Sequence, residues 1–520
     1  MASIIFKQSV KQAAYSGLGT ISAFAVNFLF AGLMVRFLGN DRAGYFIAFS
    51  SLLAIAQIAG GFGLTNPATK RIAELYAVGD TQTCRRLAGS VLLVNLGIGL
   101  VGALVCIVLL DSLISWSKLP VAYHQEAATA TVLLALSFVV DQMGGSYRFL
   151  YAACQRQDMR NLSSTAIGFG GGVLRIVWLS LLPNMVAAGA GNLVVSVIWL
   201  GLDVYLVRRL LGGWILPNWC QAEVRPLVGF SLWELFNGFG IFVGNALDRL
   251  VLTTFLGSGS LPYYAIAQRF FQQIHTAIAQ QFSFVFPLLA ASGGSVYEVS
   301  GRVQDRARWF VVALGALLYG GLFLVGPAVL TLVIGADFAE KSRWPVYLVC
   351  AQGLGASAAI ANYLLHYSIG DGAANAIYNV GNGLVSCTLA ALLIPRIGYV
   401  GASIAQLAVV VGAFVFLVRS KKLLRLEGSW SSYWSTYVSP IAAFAVMIAM
   451  GSAVRMLAGS GVVAIIVSAV IALISGLGTI WSLEAGIFGR YRRLDMIVQA
   501  CTIALQRIAR RQSEPLTEPS

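Results

Sequence analysis

Three arginines interrupt long apolar runs: Arg175 in "GGVLRIVWLSLL", Arg249 in "NALDRLVLTTFLG" and Arg269 in "YYAIAQRFFQQIHT". A guanidinium facing hydrocarbon is costly, so such residues turn toward a hydrated cavity or a partner helix. The group is planar and permanently charged, and its donors match phosphate oxygens. Arg148 also sits in an apolar run, but near its basic end, from which the side chain can snorkel. Asp248 directly precedes Arg249. Neighbours at i and i+1 do not face each other on a helix. The two are therefore expected to take separate partners: Arg269 or Arg175 for Asp248, and a bound ligand for Arg249. A buried structural ion pair is the competing reading.

Other polar residues inside apolar runs recur at steps of three or four, the spacing of one helix face. Asn27 follows Ser16, Thr20 and Ala23, and Gln57 lies between Ser50, Ala54 and Gly61. Asp141 shares a face with Gly145 and Arg148, and Arg175 with Ser164, Gly168 and Gly171. Glu234, Asn237, Gly244 and Asp248 form a stripe that Ile241 interrupts, with Asn245 beside it. Arg269, Gln272, Thr276 and Gln280 form another, flanked by Gln273 and His275. Gln352, Gly355, Ala359, Asn362 and His366 make one stripe, and Asn375, Asn379, Asn382 and Ser386 the next. Small and polar residues also glue packed helices together, which is the plainer reading for the Ser, Thr and Gly members. The expected cavity set is Arg175, Arg249, Arg269, Asn27, Gln57, Asn245, Gln272, Asn379 and Asn382. Asp141, Glu234, Asp248 and His275 are candidates for ion coupling or for holding the arginines; a packing role is the alternative for His275.

The elements that carry these residues follow from composition. The chain has 520 residues, 58% hydrophobic and 11% charged, with a mean hydropathy of +0.78. Soluble domains carry about a quarter charged residues. Apolar runs of about 20 residues span the roughly 30 Å hydrocarbon core. We therefore expect an all-α polytopic membrane protein without a large soluble domain. Runs and breakers place about fourteen spans at 15–37, 45–66, 87–110, 127–152, 163–183, 190–210, 227–256, 263–289, 309–334, 344–369, 375–395, 400–418, 435–457 and 462–484. The net charge of +14 does not point to nucleic acid, because the cations concentrate in alternate loops. By the positive-inside rule both termini are cytoplasmic. The loops expected outside are short: 39–44, 111–126, 184–189, 257–262 and 335–343.

A weak internal repeat divides the chain. "FLGNDRAGY" (37–45) and "FLGSGSLPY" (255–263) match at Phe, Leu, Gly and Tyr with one offset, each at a helix end. Each copy would open a six-helix unit, and units of even span number share orientation, a transporter architecture. The expected division is 1–212 and 213–426 for the two bundles, 427–486 for two further helices, and 487–520 for a cytoplasmic tail. In that tail Leu494, Ile497, Cys501, Leu505 and Ile508 repeat at helical spacing among arginines, reading as a basic amphipathic helix on anionic membrane lipids. The seven cysteines form no metal-ligand or disulfide pattern. No catalytic residue, metal site or cofactor is expected.

With these features in place, the chain resembles the polysaccharide-transporter (Wzx-like) flippases of the multidrug/oligosaccharidyl-lipid/polysaccharide export superfamily. The residues that carry the resemblance are "VRFLGNDRAGYF" (35–46), "GGFGLTNPATKRIAE" (60–74), "DRLVLTTFLG" (248–257), "YYAIAQRF" (263–270) and "GYVGASIAQ" (398–406). The resemblance implies two six-helix bundles in a V with two extra helices, in the inner membrane. It implies a cavity, cationic in many members, for an undecaprenyl-pyrophosphate-linked oligosaccharide used in O-antigen, capsule or exopolysaccharide synthesis. Polysaccharide-assembly enzymes such as a polymerase are the implied partners. In the lipid II flippase branch the last two helices form a groove for the lipid tail; 435–457 and 462–484 are the counterparts here. On this reading Arg175, Arg249 and Arg269 compensate the pyrophosphate, and the Asn and Gln side chains bind sugar hydroxyls. Two alternatives stand beside it: an ion-coupled multidrug or metabolite antiporter of the same superfamily, and a membrane polymerase or ligase.

Overall fold

The computed structural model describes residues 22–23, 25–225, 238–240, 242–282, 301–368, 372–423, 430–459 and 461–487. Glu234, Asn237 and the whole expected tail lie outside the described residues, as do the side chains of Gln57, Asn245 and Gln280. All regular structure among the described residues is helical. In chain order the main helices are α1 (Ala25–Leu38), α2 (Asn40–Gly63), α3 (Thr65–Ala77), α4 (Thr81–Val108), α5 (His124–Ala153), α6 (Gln157–Thr165), α7 (Gly172–Leu181) and α8 (Met185–Leu211). There follow α9 (Asp248–Leu256), α10 (Leu261–Phe282), α11 (Gly301–Val333), α12 (Arg343–Ser368), α13 (Gly372–Ile397), α14 (Tyr399–Ala405), α15 (Ala408–Leu423), α16 (Trp430–Ala458) and α17 (Val462–Trp481). Among the described residues ten helices are long and apolar enough to cross a membrane, and each falls on an expected span.

The helices begin earlier than the apolar runs. α4 starts at Thr81 because the Asp80 carboxylate accepts from the Thr83 backbone N–H at 2.9 Å. α8 starts at Met185 because Asn184 accepts from the Ala187 N–H at 2.7 Å. Such caps satisfy backbone donors that hydropathy does not register. The basic stretch after α2 forms α3, which is pinned by two hydrogen bonds from Arg71 to Glu223, at 2.7 and 3.4 Å. The segment after α8 is strapped onto α4: Asn218 donates to the Gly89 carbonyl at 3.4 Å and Cys220 to the Ser90 hydroxyl at 2.9 Å.

The two "FLG" glycines share one conformation. Gly39 has φ 80° and ψ 169°, and Gly257 has φ 79° and ψ 176°. A residue with a Cβ rarely adopts this φ, so glycine is required in both places. Each glycine ends a helix and turns the chain into the next.

These two turns also meet. The Ser258 N–H donates to the Ser117 carbonyl at 2.9 Å. Trp116 donates to Thr254 at 2.8 Å, Lys118 to the Phe255 carbonyl at 2.9 Å, and Asn40 to the Tyr263 hydroxyl at 2.8 Å. The Tyr263 ring lies 5.0 Å from Phe338 and 5.3 Å from Tyr399, centroid to centroid. Below this seal the largest apolar core runs through both parts of the chain, from Met34, Tyr45 and Phe46 to Tyr264, Phe270 and Val349. The molecule is therefore closed at the end that carries loops 39–44, 111–126 and 257–262.

Gly44 sits at the tightest point, where an added Cβ would lie 1.8 Å from the Ser258 carbonyl oxygen. Gly44→Ala is expected to open this end at a cost of about 1–3 kcal/mol. Ser258 is 1% exposed. In detergent, a Ser258→Cys reporter should react several-fold faster with a polar maleimide when Gly44→Ala is present. Unchanged labelling would show that the seal does not depend on this contact.

Candidate functional site

Arg175 and Arg249 occupy matching local settings. A turn of π-helix, Ala166–Gly171, precedes α7 and Arg175; another, Val243–Leu247, precedes α9 and Arg249. A π turn widens the hydrogen-bond ladder and leaves carbonyls for other donors. Asn27 of α1 donates to the Gly168 carbonyl at 3.3 Å. Gln406, just after α14, donates to the Gly244 carbonyl at 3.1 Å. The close approach needs glycine: a Cβ on Gly168 would lie 2.4 Å from the Ala23 Cβ. In both places a side-chain amide from another helix holds the turn that aims the arginine.

The arginines converge. Arg269 of α10 lies within electrostatic reach of both Arg249 and Arg175, and Arg175 within reach of Asp141. The Nε of Arg175 and the Nε and Nη2 of Arg249 are buried and have no hydrogen-bond partner among the described residues. Unmet charged donors in a buried setting are costly, and three neighbouring cations raise that cost by mutual repulsion. Such a cluster accommodates a polyanion through charge-assisted hydrogen bonds.

Asp248 does not take the partner expected for it. It is 2% exposed, and its carboxylate accepts from the Tyr264 hydroxyl, from Gln406 Nε2 at 2.8 Å and from the Arg249 backbone N–H at 2.7 Å. The charge of its neighbour Arg249 also acts on it. The physical reason is the rotation of about 100° per residue, which turns Asp248 toward α10 and α14 while Arg249 borders the arginine cluster. The network continues inward. Gln352 of α12 donates to Gln406 Oε1 at 3.5 Å, and Gln268 of α10 to Gln352 Oε1 at 3.0 Å. Tyr264, Gln268 and Gln406 were not among the expected site residues. Their signal was present: each lies in a short stretch that carries the family resemblance, and two are amides inside apolar runs.

The remaining expected residues separate. Asn27 holds the π turn beneath Arg175, as above. Gln272 is half-buried on α10. Asn379 lies on α13 where that helix meets the Gly240 backbone. Asn382 hydrogen-bonds Tyr378 and lies against Gly412 of α15, a helix contact. Asp141 bonds Ser196 and is within reach of Arg148 and Arg175. His275 stacks on Phe271 at 5.3 Å with its Nδ1 buried and unpartnered. It lies six residues from Arg269, about 120° around the helix, and so on a different face. Among the described residues no group of His, Cys, Asp and Glu is placed to hold a metal ion, and the six described cysteines are free.

Residues 9–292 match the profile of a family described as "Polysaccharide biosynthesis protein". The chain is 23% identical over 263 residues to the lipopolysaccharide biosynthesis protein WzxC of Escherichia coli (strain K12), and it spans 50% of that relative's length. Its fold is similar to the lipid II flippase MurJ in an inward closed conformation, with a TM-score of 0.71 at 11% identity, covering 92% of this chain and 100% of the other. It is also similar to an inward-facing multidrug resistance MATE family transporter of the MOP superfamily, with a TM-score of 0.63 at 14% identity, covering 79% of this chain and 98% of the other. The Vibrio cholerae MATE transporter VcmN in its bent form gives 0.55 at 15% identity, covering 84% of this chain and 99% of the other. At these identities the structural likeness speaks to the fold, that of an all-helical multi-span membrane protein.

Gln406 joins Asp248, Gly244 and Gln352, so its removal strips three groups at once. Gln406→Ala is expected to destabilise the protein by about 1–3 kcal/mol, read as a lower unfolding midpoint in detergent. Gln406→Glu should be worse, because it sets a second carboxylate against Asp248. A midpoint equal to wild type in both variants would show that the network contributes nothing to stability.

Proposed function

Since the chain belongs to the polysaccharide biosynthesis protein family, whose profile covers more than half of it, we propose that it is a flippase for a lipid-linked oligosaccharide. The family is one of membrane transporters, which sets the enzyme alternative aside. The substrate we assign is an undecaprenyl-pyrophosphate-linked repeat unit, carried from the inner to the outer leaflet of a bacterial inner membrane for O-antigen, capsule or exopolysaccharide synthesis. The observation that carries this reading is the group of Arg175, Arg249 and Arg269, in which Arg175 and Arg249 keep buried donors without partners and Arg269 stands within electrostatic reach of both. A pyrophosphate crossing a low-dielectric core needs its charge compensated, and these guanidiniums supply that. An antiporter of organic cations would call for the opposite sign.

The transport cycle follows from the sealed end. With loops 39–44 and 257–262 joined, the arginines are reached from the opposite, cation-rich side, which we take as cytoplasmic. Rocking of bundles 1–212 and 213–426, each with six spans, would break the seal and present the substrate outside. Helices in 427–486 flank the second bundle, bringing the spans to fourteen. Sugar hydroxyls meet Asn and Gln side chains lining the path, among them Gln272 and Asn379. Enzymes that assemble and polymerise the glycan act before and after it.

Complementation tests this. In a strain lacking the chain, Arg249→Ala and Arg269→Ala are each expected to reduce surface polysaccharide about ten-fold or more at equal expression, since a charged hydrogen bond is worth about 1.5–3 kcal/mol. Lipid-linked units should accumulate on the cytoplasmic leaflet. Export at the wild-type level in both variants would refute the cationic cavity.

A further inference from the structure

The most deeply buried carboxylate in the first part of the chain is not in the arginine cluster. Asp203 of α8 has 0% exposure. Its Oδ1 accepts from the Tyr151 hydroxyl at 2.9 Å and the Ser163 hydroxyl at 2.8 Å. Its Oδ2 is buried and accepts no hydrogen bond. The nearest cation, Arg148 Nε, stands 3.9 Å from Oδ2, too far for a hydrogen bond. Arg148 instead donates to the Asp141 backbone carbonyl at 3.1 Å. Gly144 keeps this corner open: its missing Cβ would lie 3.4 Å from Arg148 Nη2 and 3.9 Å from Asp203 Oδ2. The charged and titratable groups facing Asp203 are Arg148 and Tyr151 from α5; α6 contributes the uncharged Ser163.

Arg148 also leads elsewhere. The Asp141 side chain is within reach of both Arg148 and Arg175, and Arg175 is within reach of Arg269. Charges therefore alternate from Asp203 through Arg148 and Asp141 to Arg175. We propose that Asp203 is a proton-binding site whose occupancy sets the anion affinity of the arginine cluster through Arg148 and Asp141. The proposal rests on the oxyanion-site reading above.

The proton goes to Oδ2, the oxygen without a donor, while Oδ1 keeps both hydroxyl bonds. Neutral Asp203 no longer attracts Arg148, which turns to Asp141. Asp141 then holds Arg175 less, and Arg175 is free for a phosphate oxygen. Lower pH therefore tightens anion binding, and by reciprocity a bound anion favours protonation. A metal ion is disfavoured at Oδ2 because Arg148 already lies on that side.

The test uses the full chain in lipid nanodiscs with inorganic pyrophosphate as probe. Wild-type affinity should strengthen as pH falls, by about five-fold or more beyond the change in Asp203→Asn. Asn keeps the Oδ1 acceptor, so this variant folds and binds with the pH response lost. Arg148→Gln, which leaves Asp203 in place, should lose the same response. Difference infrared spectroscopy adds a direct readout: a protonated carboxyl band that appears on acidification and is missing in Asp203→Asn. Equal pH slopes in all three proteins, no band lost, or a response to sodium in place of protons would each overturn the proposal. Arg249→Ala separates the two readings: if it binds pyrophosphate like wild type, the oxyanion site fails, while the infrared band still decides whether Asp203 takes a proton.

Discussion

Charge buried in a low-dielectric interior must be compensated, and much of this molecule is arranged around that requirement. Asp248 meets it locally, with a tyrosine hydroxyl, a glutamine amide and a backbone N–H gathered from three separate segments. The arginines beside it do not meet it locally. Arg175 and Arg249 keep buried donors without partners, and Arg269 stands within reach of both. One carboxylate is satisfied while two guanidiniums, beside a third, keep unmet donors. That asymmetry distinguishes them more clearly than residue type does, since all four groups are ionisable.

The two π turns explain how such arginines can be placed at all. A regular helix gives its carbonyls to its own ladder, whereas a π turn releases one to a neighbouring helix. Asn27 and Gln406 use the released carbonyls of Gly168 and Gly244, and each link ties a helix that bears an arginine to another element. Those elements differ in the two places, α1 in one and the end of α14 in the other. The shared device, together with the matched conformations of Gly39 and Gly257, gives the short "FLG" repeat a physical meaning beyond its letters.

Closure at one end completes the picture. Ser117, Lys118 and Trp116 reach the turn at 254–258, and Asn40 reaches Tyr263. Most of these are single hydrogen bonds to backbone or hydroxyl groups, individually modest. Among the described residues the apolar core below it is continuous, crossed by the chain of Asp248, Gln406, Gln352 and Gln268.

Hydropathy and spacing by themselves determined the helical membrane class, the ten spans that the structure describes, and the arginines as the residues to watch, because length and periodicity are local properties. They also put Asp141 and Arg148 on one helix face, since seven residues make about two turns. Tertiary structure alone decided the partners. Asp248 was expected to meet Arg269 or Arg175 and instead meets Tyr264 and Gln406; its rotation on α9 relative to α10 and α14 is set by packing. Asn382 was expected in a cavity and lies against Gly412, for the same reason. Asp203 passed unnoticed as a lone acid in an otherwise apolar helix, although an intramembrane carboxylate is a signal on its own. Its meaning came from α5 and α6, which bring Arg148, Tyr151 and Ser163 to it from elsewhere in the chain. A sequence records which residues bear charge; which charges face one another depends on helix rotation, and that is fixed only when the helices pack.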